Sequence, residues 1–290
     1  EVLDIEDSSK VRSTRNFTTT STGSGTVDVE FTIPAESLKG KSVVVFEYLS
    51  YKDKDGNYID LANHTDITDT NQTIIFKNPS VGTTAKDTVT NTNEAFVSKT
   101  TTIVDTVNYT DLIVGKEYTI SGVLMNKAIN EPLVVNGNEV TATKTFTAAQ
   151  ADGSIDIEFT FDSSALAGEA VVAFETLTYN NKEIATHTDI TDKGQTVTFK
   201  KPSVKTTAKD TVTNTNEAFV SKKTTVIDTV EYTNLIIGKE YTVSGVLMNK
   251  ATNEPLMVNG IEVSATKTFT ATQADGSIDI EFTFDSSALA

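Results

Sequence analysis

The 290 residues carry 40 acidic against 24 basic side chains, a formal charge of −16, with two histidines and no cysteine or tryptophan. Such an acidic chain repels phosphate backbones and anionic lipid, which argues against nucleic acid and membrane surfaces as partners, and the missing cysteines exclude disulfides and thiolate chemistry. No apolar run approaches the ~18 residues needed to span a bilayer, while a hydrophobic content of 38% suffices for packed cores.

The chain opens on EVLDIED, which has neither the basic nor the apolar segment of an export signal, and its ends read as cuts within a longer protein. Repeats organise everything that follows. GTVDVEFTIPAESLKGKSVVVFEYLSY at 25–51 parallels GSIDIEFTFDSSALAGEAVVAFETLTY at 153–179, and HTDITDTNQTIIF at 64–76 parallels HTDITDKGQTVTF at 187–199. The stretch 83–167 recurs at 206–290, offset by 123 residues, with about a dozen substitutions. Residues 1–79 therefore read as the C-terminal part of one unit, 80–202 as a complete unit and 203–290 as the N-terminal part of a third. The linkers KNPSVG (77–82) and KKPSVK (200–205) mark the joints, and such short joints between similar units imply a linear array with limited bending.

Within the unit the hydrophobic period is two. In TTTIVDTVNY (100–109), Ile103, Asp105, Val107 and Tyr109 share one face, and Val104, Thr106 and Asn108 share the other. Similar runs follow in KEYTISGVL, NEVTATKTFTA, SIDIEFTF, EAVVAFETLTY and QTVTFK, rich in the residues that suit a pleated surface and separated by turn signals such as Asn136-Gly137 and Asp152-Gly153. The expected fold is all-β: tandem Ig-like antiparallel β-sandwich repeats of seven to nine strands per unit, with one short helical turn at SSALAG.

Alternation also turns several polar residues inward. VGTTAKD (81–87) has glycine where VKTTAKD (204–210) has lysine, so Val81, Thr83, Ala85 and Asp87 form the inner face. Asp105 lies between Ile103 and Val107, Glu175 between Ala173 and Leu177, and Gln195 on the face of Val197 and Phe199. A strand aspartate ordinarily faces water, and a buried unpaired carboxylate is costly, so these two acids need each other or another partner. His187, just upstream of the last strand, is one candidate. Glu47, His64 and Gln72 in the first unit, and Thr206 and Asp228 in the third, repeat the same residue types.

TTAKD at the start of the unit, IVDTVNYTDLIVGKEYTISGVLMNK after it, VVAFE in the middle and HTDITDKGQT near its end together resemble the Thr–Gln ester-bond domains, or VaFE repeats, of Gram-positive surface adhesins. The resemblance covers essentially the whole chain. It implies an Ig-like domain that crosslinks itself once through an ester between a threonine of its first strand and a glutamine of its last, and so is not a turnover enzyme. Carried onto this sequence, the bond joins Thr83 to Gln195, with Asp105 and Glu175 as assisting acids and His187 as the base. The inner-face argument favours Thr83 over Thr84, which stays open at this point.

The same resemblance implies a stalk or fibre segment outside the cell, on a bacterial cell wall, anchored through other parts of a parent protein and touching no membrane itself. Its expected partners are neighbouring repeats and other copies of the chain in a fibre; no host ligand is specified. No cofactor and no metal are expected. Two rival readings exist. YKDKDGNYID (51–60) places Asp53, Asp55 and Asp60 around Gly56, and HTDITD offers paired aspartates, as a calcium-binding repeat does, but Tyr51 and Ala62 stand where an EF-type loop needs acids, and the second unit shortens the loop to YNNKEIAT. A ligand-binding adhesin module is the other, though no exposed aromatic cluster stands out in the sequence. Glycine-rich phosphate loops and G-x-S-x-G elbows are absent.

Overall fold

In the computed structural model of the chain, residues 2–4, 10–20 and 22–289 are described; most of the opening stretch EVLDIED lies outside them. The alternating segments of the complete unit become nine strands: β1 (Ser80–Asp87), β2 (Glu94–Phe96), β3 (Thr101–Thr110), β4 (Glu117–Asn126), β5 (Thr141–Thr147), β6 (Gly153–Phe161), β7 (Ala170–Tyr179), β8 (Lys182–His187) and β9 (Thr196–Lys200). Three two-residue strands lie between β4 and β5. One sheet runs β6-β3-β1; the other runs β5-β4-β7-β9-β2, with β8 on the far half of β7. The chain is thus all-β, a tandem series of Ig-like sandwiches.

Inner faces of the two sheets meet in one core that includes Ile103, Val107, Ile120, Leu124, Phe159, Leu177, Val197 and Phe199, all buried. Period-two burial is clearest in β3, where residues 101, 103, 105, 107 and 109 are all buried. Two glycines are fitted to this interior. A Cβ on Gly122 would stand 2.6 Å from both Ile157 Cδ1 and Phe159 Cζ, and one on Gly153 would stand 2.5 Å from the Tyr109 hydroxyl.

The structure differs from the sequence expectations in several places, each with a physical reason. β2 runs parallel to β9, Glu94 opposite Thr198, because the 88–93 turn carries the chain across to the other sheet without a hairpin reversal against β9. Asn136-Gly137 forms the expected left-handed two-residue turn, with φ of 53° and 82°. Asp152-Gly153 does not: Gly153 opens β6, and glycine is needed there because the Tyr109 ring fills the space. SSALAG makes only hydrogen-bonded turns in the complete unit, Leu166 N–H to Ser163 O at 2.8 Å; its counterparts form 3-10 helices at Glu36–Leu38 and Ser287–Leu289.

In the third unit Ser203–Asp210, Thr224–Thr233 and Gly276–Phe284 rebuild the three-stranded sheet. In the first, Ser42–Val45 pairs with Val2–Asp4 and Thr73–Ile75, and Glu47–Lys52 forms a hairpin with Tyr58–His64. GTVDVEF at 25–31 is not a strand, because its counterpart is held by pairing to β3 and residues 1–79 hold no counterpart of β3. That hairpin also exposes Tyr48, Tyr51 and Tyr58, an aromatic group the sequence did not reveal, since its ribbon lacks the covering strand that β4 gives β7.

Both joints are held by side chains. At the first, Asp111 accepts from Lys77 Nζ and from the Asn78 N–H, each at 2.7 Å. At the second, Asn234 replaces that aspartate and donates to Lys201 O at 3.2 Å, while Lys239 Nζ donates to Thr90 O and the Tyr241 and Phe96 rings meet edge to face at 6.3 Å.

Replacing Gly122 by alanine should lower the unfolding free energy of the complete unit by about 1–3 kcal/mol, since two core side chains must leave their rotamers to admit one methyl. Urea denaturation of the full chain against Gly122→Ala checks this.

Candidate functional site

Thr83 lies in the middle of β1 and is buried, while its neighbours Thr84 and Lys86 are exposed. Glu175 lies on β7 and Asp105 on β3, each 0% exposed. Gln195, also 0% exposed, immediately precedes β9, and its segment is tied to β1 by the Ala85 N–H donating to Gly194 O at 2.9 Å. The first strand and the approach to the last thus meet at the seam between the two sheets.

Side chains there touch directly. Gln195 Nε2 donates to Thr83 Oγ1 at 2.7 Å and to Glu175 Oε2 at 2.7 Å, and Thr83 Oγ1 donates to the same Glu175 oxygen at 3.2 Å. Both Asp105 oxygens, Glu175 Oε1 and Gln195 Oε1 are buried with no hydrogen-bond donor. Two carboxyls left this way can be satisfied by sharing a proton between them. Burial is the main reason that both are hard to ionise: it raises Asp105, and it raises Glu175, with the Asp105 charge adding to it, up to about 10.

His187 ends β8 directly opposite Glu175 on β7. Among the described residues, no hydrogen bond joins it to Thr83 or Gln195. Its Nε2 instead meets Asp192 Oδ2 at 3.2 Å, and its Nδ1 is buried without a partner. The oxygen that touches both the threonine hydroxyl and the glutamine amide belongs to Glu175. Sequence reasoning had read the HTDITD aspartates only as possible calcium ligands and missed the contact of Asp192 with His187; the signal was there, since HTDITD occurs in both copies.

The partial units hold matching portions. Gln72 Nε2 donates to Glu47 Oε2, Glu47 stands opposite His64, and His64 Nε2 meets Asp69 Oδ2 at 3.2 Å. In the third, Thr206 and Asp228 sit on paired strands in the register of Thr83 and Asp105. No described hydrogen bond brings the two portions together. At the proposed calcium loop, Asp53 Oδ1 accepts the Asp55 and Asn57 amides at 2.9 and 2.8 Å, the pattern of a hairpin turn.

The class of protein that the fold and site define is a β-sandwich with threonine, glutamine and two buried acids at its seam. The chain belongs to the family of the T-Q ester bond containing domain, whose model matches residues 3–76, 79–199 and 202–290. Among solved structures it is similar to a bacterial adhesin from Mobiluncus mulieris containing intramolecular disulfide, isopeptide and ester bond cross-links. One crystal form matches at 15% identity over 71% of this chain and 99% of that one, TM-score 0.38; a second matches at 15% identity over 68% and 96%, TM-score 0.39. No curated protein matches.

The raised carboxyl has a definite consequence for stability. The folded state keeps a proton that an unfolded glutamate loses near pH 4.5, so unfolding releases it and stability falls as pH rises from there towards about 10. In a Thr83→Ala chain, which carries no crosslink, the unfolding free energy of the complete unit, read by urea denaturation, should fall between pH 6 and 9 by at most about 1.4 kcal/mol per pH unit. Adding Glu175→Gln should flatten that slope.

Proposed function

We propose that residues 80–202 close an ester between Thr83 and Gln195, and that the chain is a self-reinforced segment of a bacterial surface stalk or fibre. The observation that carries this is the 2.7 Å contact between the Thr83 hydroxyl and the Gln195 amide nitrogen in a sealed site with two acids. Family membership supports it.

The chemistry follows from the contacts. Thr83 Oγ1 passes its proton to the Asp105–Glu175 pair and attacks the Gln195 side-chain carbonyl carbon. The tetrahedral adduct collapses as the C–N bond breaks and the pair returns a proton to Nε2, releasing ammonia. Glu175 Oε2 is placed for both transfers, since it already touches the hydroxyl and the amide nitrogen. His187, opposite Glu175, acts on the acid pair and not on Thr83 directly. Folding supplies the orientation, and the reaction runs once, so the protein is its own substrate and no turnover enzyme.

Crosslinking residues 112 apart contributes on the order of 4.7 kcal/mol by the loop-entropy relation for disulfides. Mechanics matters more, because tension along the array enters each unit at β1 and leaves at β9. An extracellular position, neighbouring repeats and fellow chains as partners, and ligand binding elsewhere in a longer parent all fit this role.

Intact mass of the full chain should show the loss of one ammonia, and Thr83→Ala should abolish it while Thr84→Ala keeps it. An unshifted parent mass would leave a hydrogen-bonded core network in place of an ester.

A further inference from the structure

Lys127 follows β4 directly, and its N–H donates to Ala170 O at 3.0 Å, which fixes its main chain against the first residue of β7. On this sheet Met125, Val172 and Thr196 stand opposite one another across β4, β7 and β9. They face away from the core that takes Val171, Ala173 and Val197, and Lys127, two residues beyond Met125, shares their outer face. Its Nζ reaches past β7 and donates to Thr196 Oγ1 at 2.9 Å. An ammonium can only donate, so the threonine oxygen accepts here and its single hydrogen points elsewhere, to Asp192 O at 2.5 Å. The bonds run one way, from lysine to the first residue of β9 to the loop before it.

Gln195 lies between these two anchors. Neighbouring residues of an extended chain point to opposite faces, so holding Thr196 from outside the sheet sets the angle at which the Gln195 side chain enters the seam. There its amide nitrogen must stand 2.7 Å from both Thr83 Oγ1 and Glu175 Oε2. The other units show the brace in parts. Lys250, the same lysine in the third unit, is exposed where no counterpart of β9 exists to receive it, whereas Lys127 is half-buried. In the first unit Thr73 makes the threonine bond to Asp69 O at 2.8 Å, in residues that hold no counterpart of β4. We propose that Lys127 is a positioning residue for ester formation, acting through the Thr196 hydroxyl to aim the Gln195 amide at Thr83. This rests on the ester reading above.

The test uses Lys127→Met in the full chain, which keeps the apolar stem and removes the donor. Chain made by cell-free synthesis, quenched at intervals and weighed intact, should lose ammonia on the order of 10- to 10²-fold more slowly in Lys127→Met than in the parent, as a small misplacement of a reacting group costs. Lys127→Arg, which still donates, should recover most of the rate. Thr196→Ser should match the parent and Thr196→Val should be slow; adding Lys127→Met to Thr196→Val should slow it no further, because the lysine acts through the hydroxyl. In unreacted Thr83→Ala protein the Gln195 side-chain amide, assigned by its loss in a Gln195→Glu variant, should shift towards the NMR position of a free glutamine when Lys127→Met is added. A lysine that only stabilises the fold would lower the urea midpoint and leave rate and amide signal as in the parent, and that result would overturn the proposal. If the parent itself loses no ammonia, the ester reading fails and this role in the reaction fails with it, while the amide signal still decides whether Lys127 aims Gln195.

Discussion

Two carboxyl groups buried against one another, Asp105 and Glu175, set the terms for the complete unit. Neither forms an ion pair among the described residues, and three of their four oxygens meet no donor. An isolated buried carboxylate costs several kcal/mol, and two side by side cost more, so the pair is tolerable only with a proton held between them. That shared proton makes the seam a place where a hydroxyl can lose a proton and an amide nitrogen can gain one without water. The hydrophobic residues around it, Ile103, Val107, Leu177 and Val197 among them, keep it dry. The apolar core and the polar site are parts of one interior.

Much of this was legible in the residues, and the reason is periodicity. Thr83, Asp105 and Glu175 are each flanked two residues away by apolar side chains, so alternation alone turned them inward, and the structure finds Thr83 buried with Thr84 exposed. Gln195 followed from its phase with Val197 and Phe199. Where the period stops, so did the reading. Asp192 lies in a polar loop whose geometry is set by Asx-type turns, and nothing in its neighbours' hydrophobicity marks it as a partner of His187. The parallel β2–β9 pairing is a long-range matter of the same kind, as is the contact of one Glu175 oxygen with both the Thr83 hydroxyl and the Gln195 amide. GTVDVEF at 25–31 shows the opposite case, a strand-like pattern that stays unpaired without its neighbour.

The joints refine the picture of beads on a string. Twelve or so substitutions separate two copies of the same segment, and one of them, Asp111 against Asn234, falls at the joint. The aspartate gathers a lysine and a main-chain amide; the asparagine makes a single longer bond to a carbonyl. At the second joint the work passes to Lys239 and to the Phe96–Tyr241 contact. Two nearly identical segments thus hold their joints through different chemistry, the first joint charged and open to screening by salt, the second partly aromatic.

Thr83 is the fourth residue of β1 and Gln195 the residue before β9, 112 positions apart. With the ester closed, roughly 370–400 Å of chain per unit lies off the line of tension as slack that can never be paid out. Under the proposed role, most of the unit would be freed from mechanical selection, its inner strands needing only to fold well enough to bring five or six side chains together once. Sequence drift there costs little strength, and the first unit, which departs widely from the second yet keeps VFE, HTDITD and QT, has the form such freedom would leave.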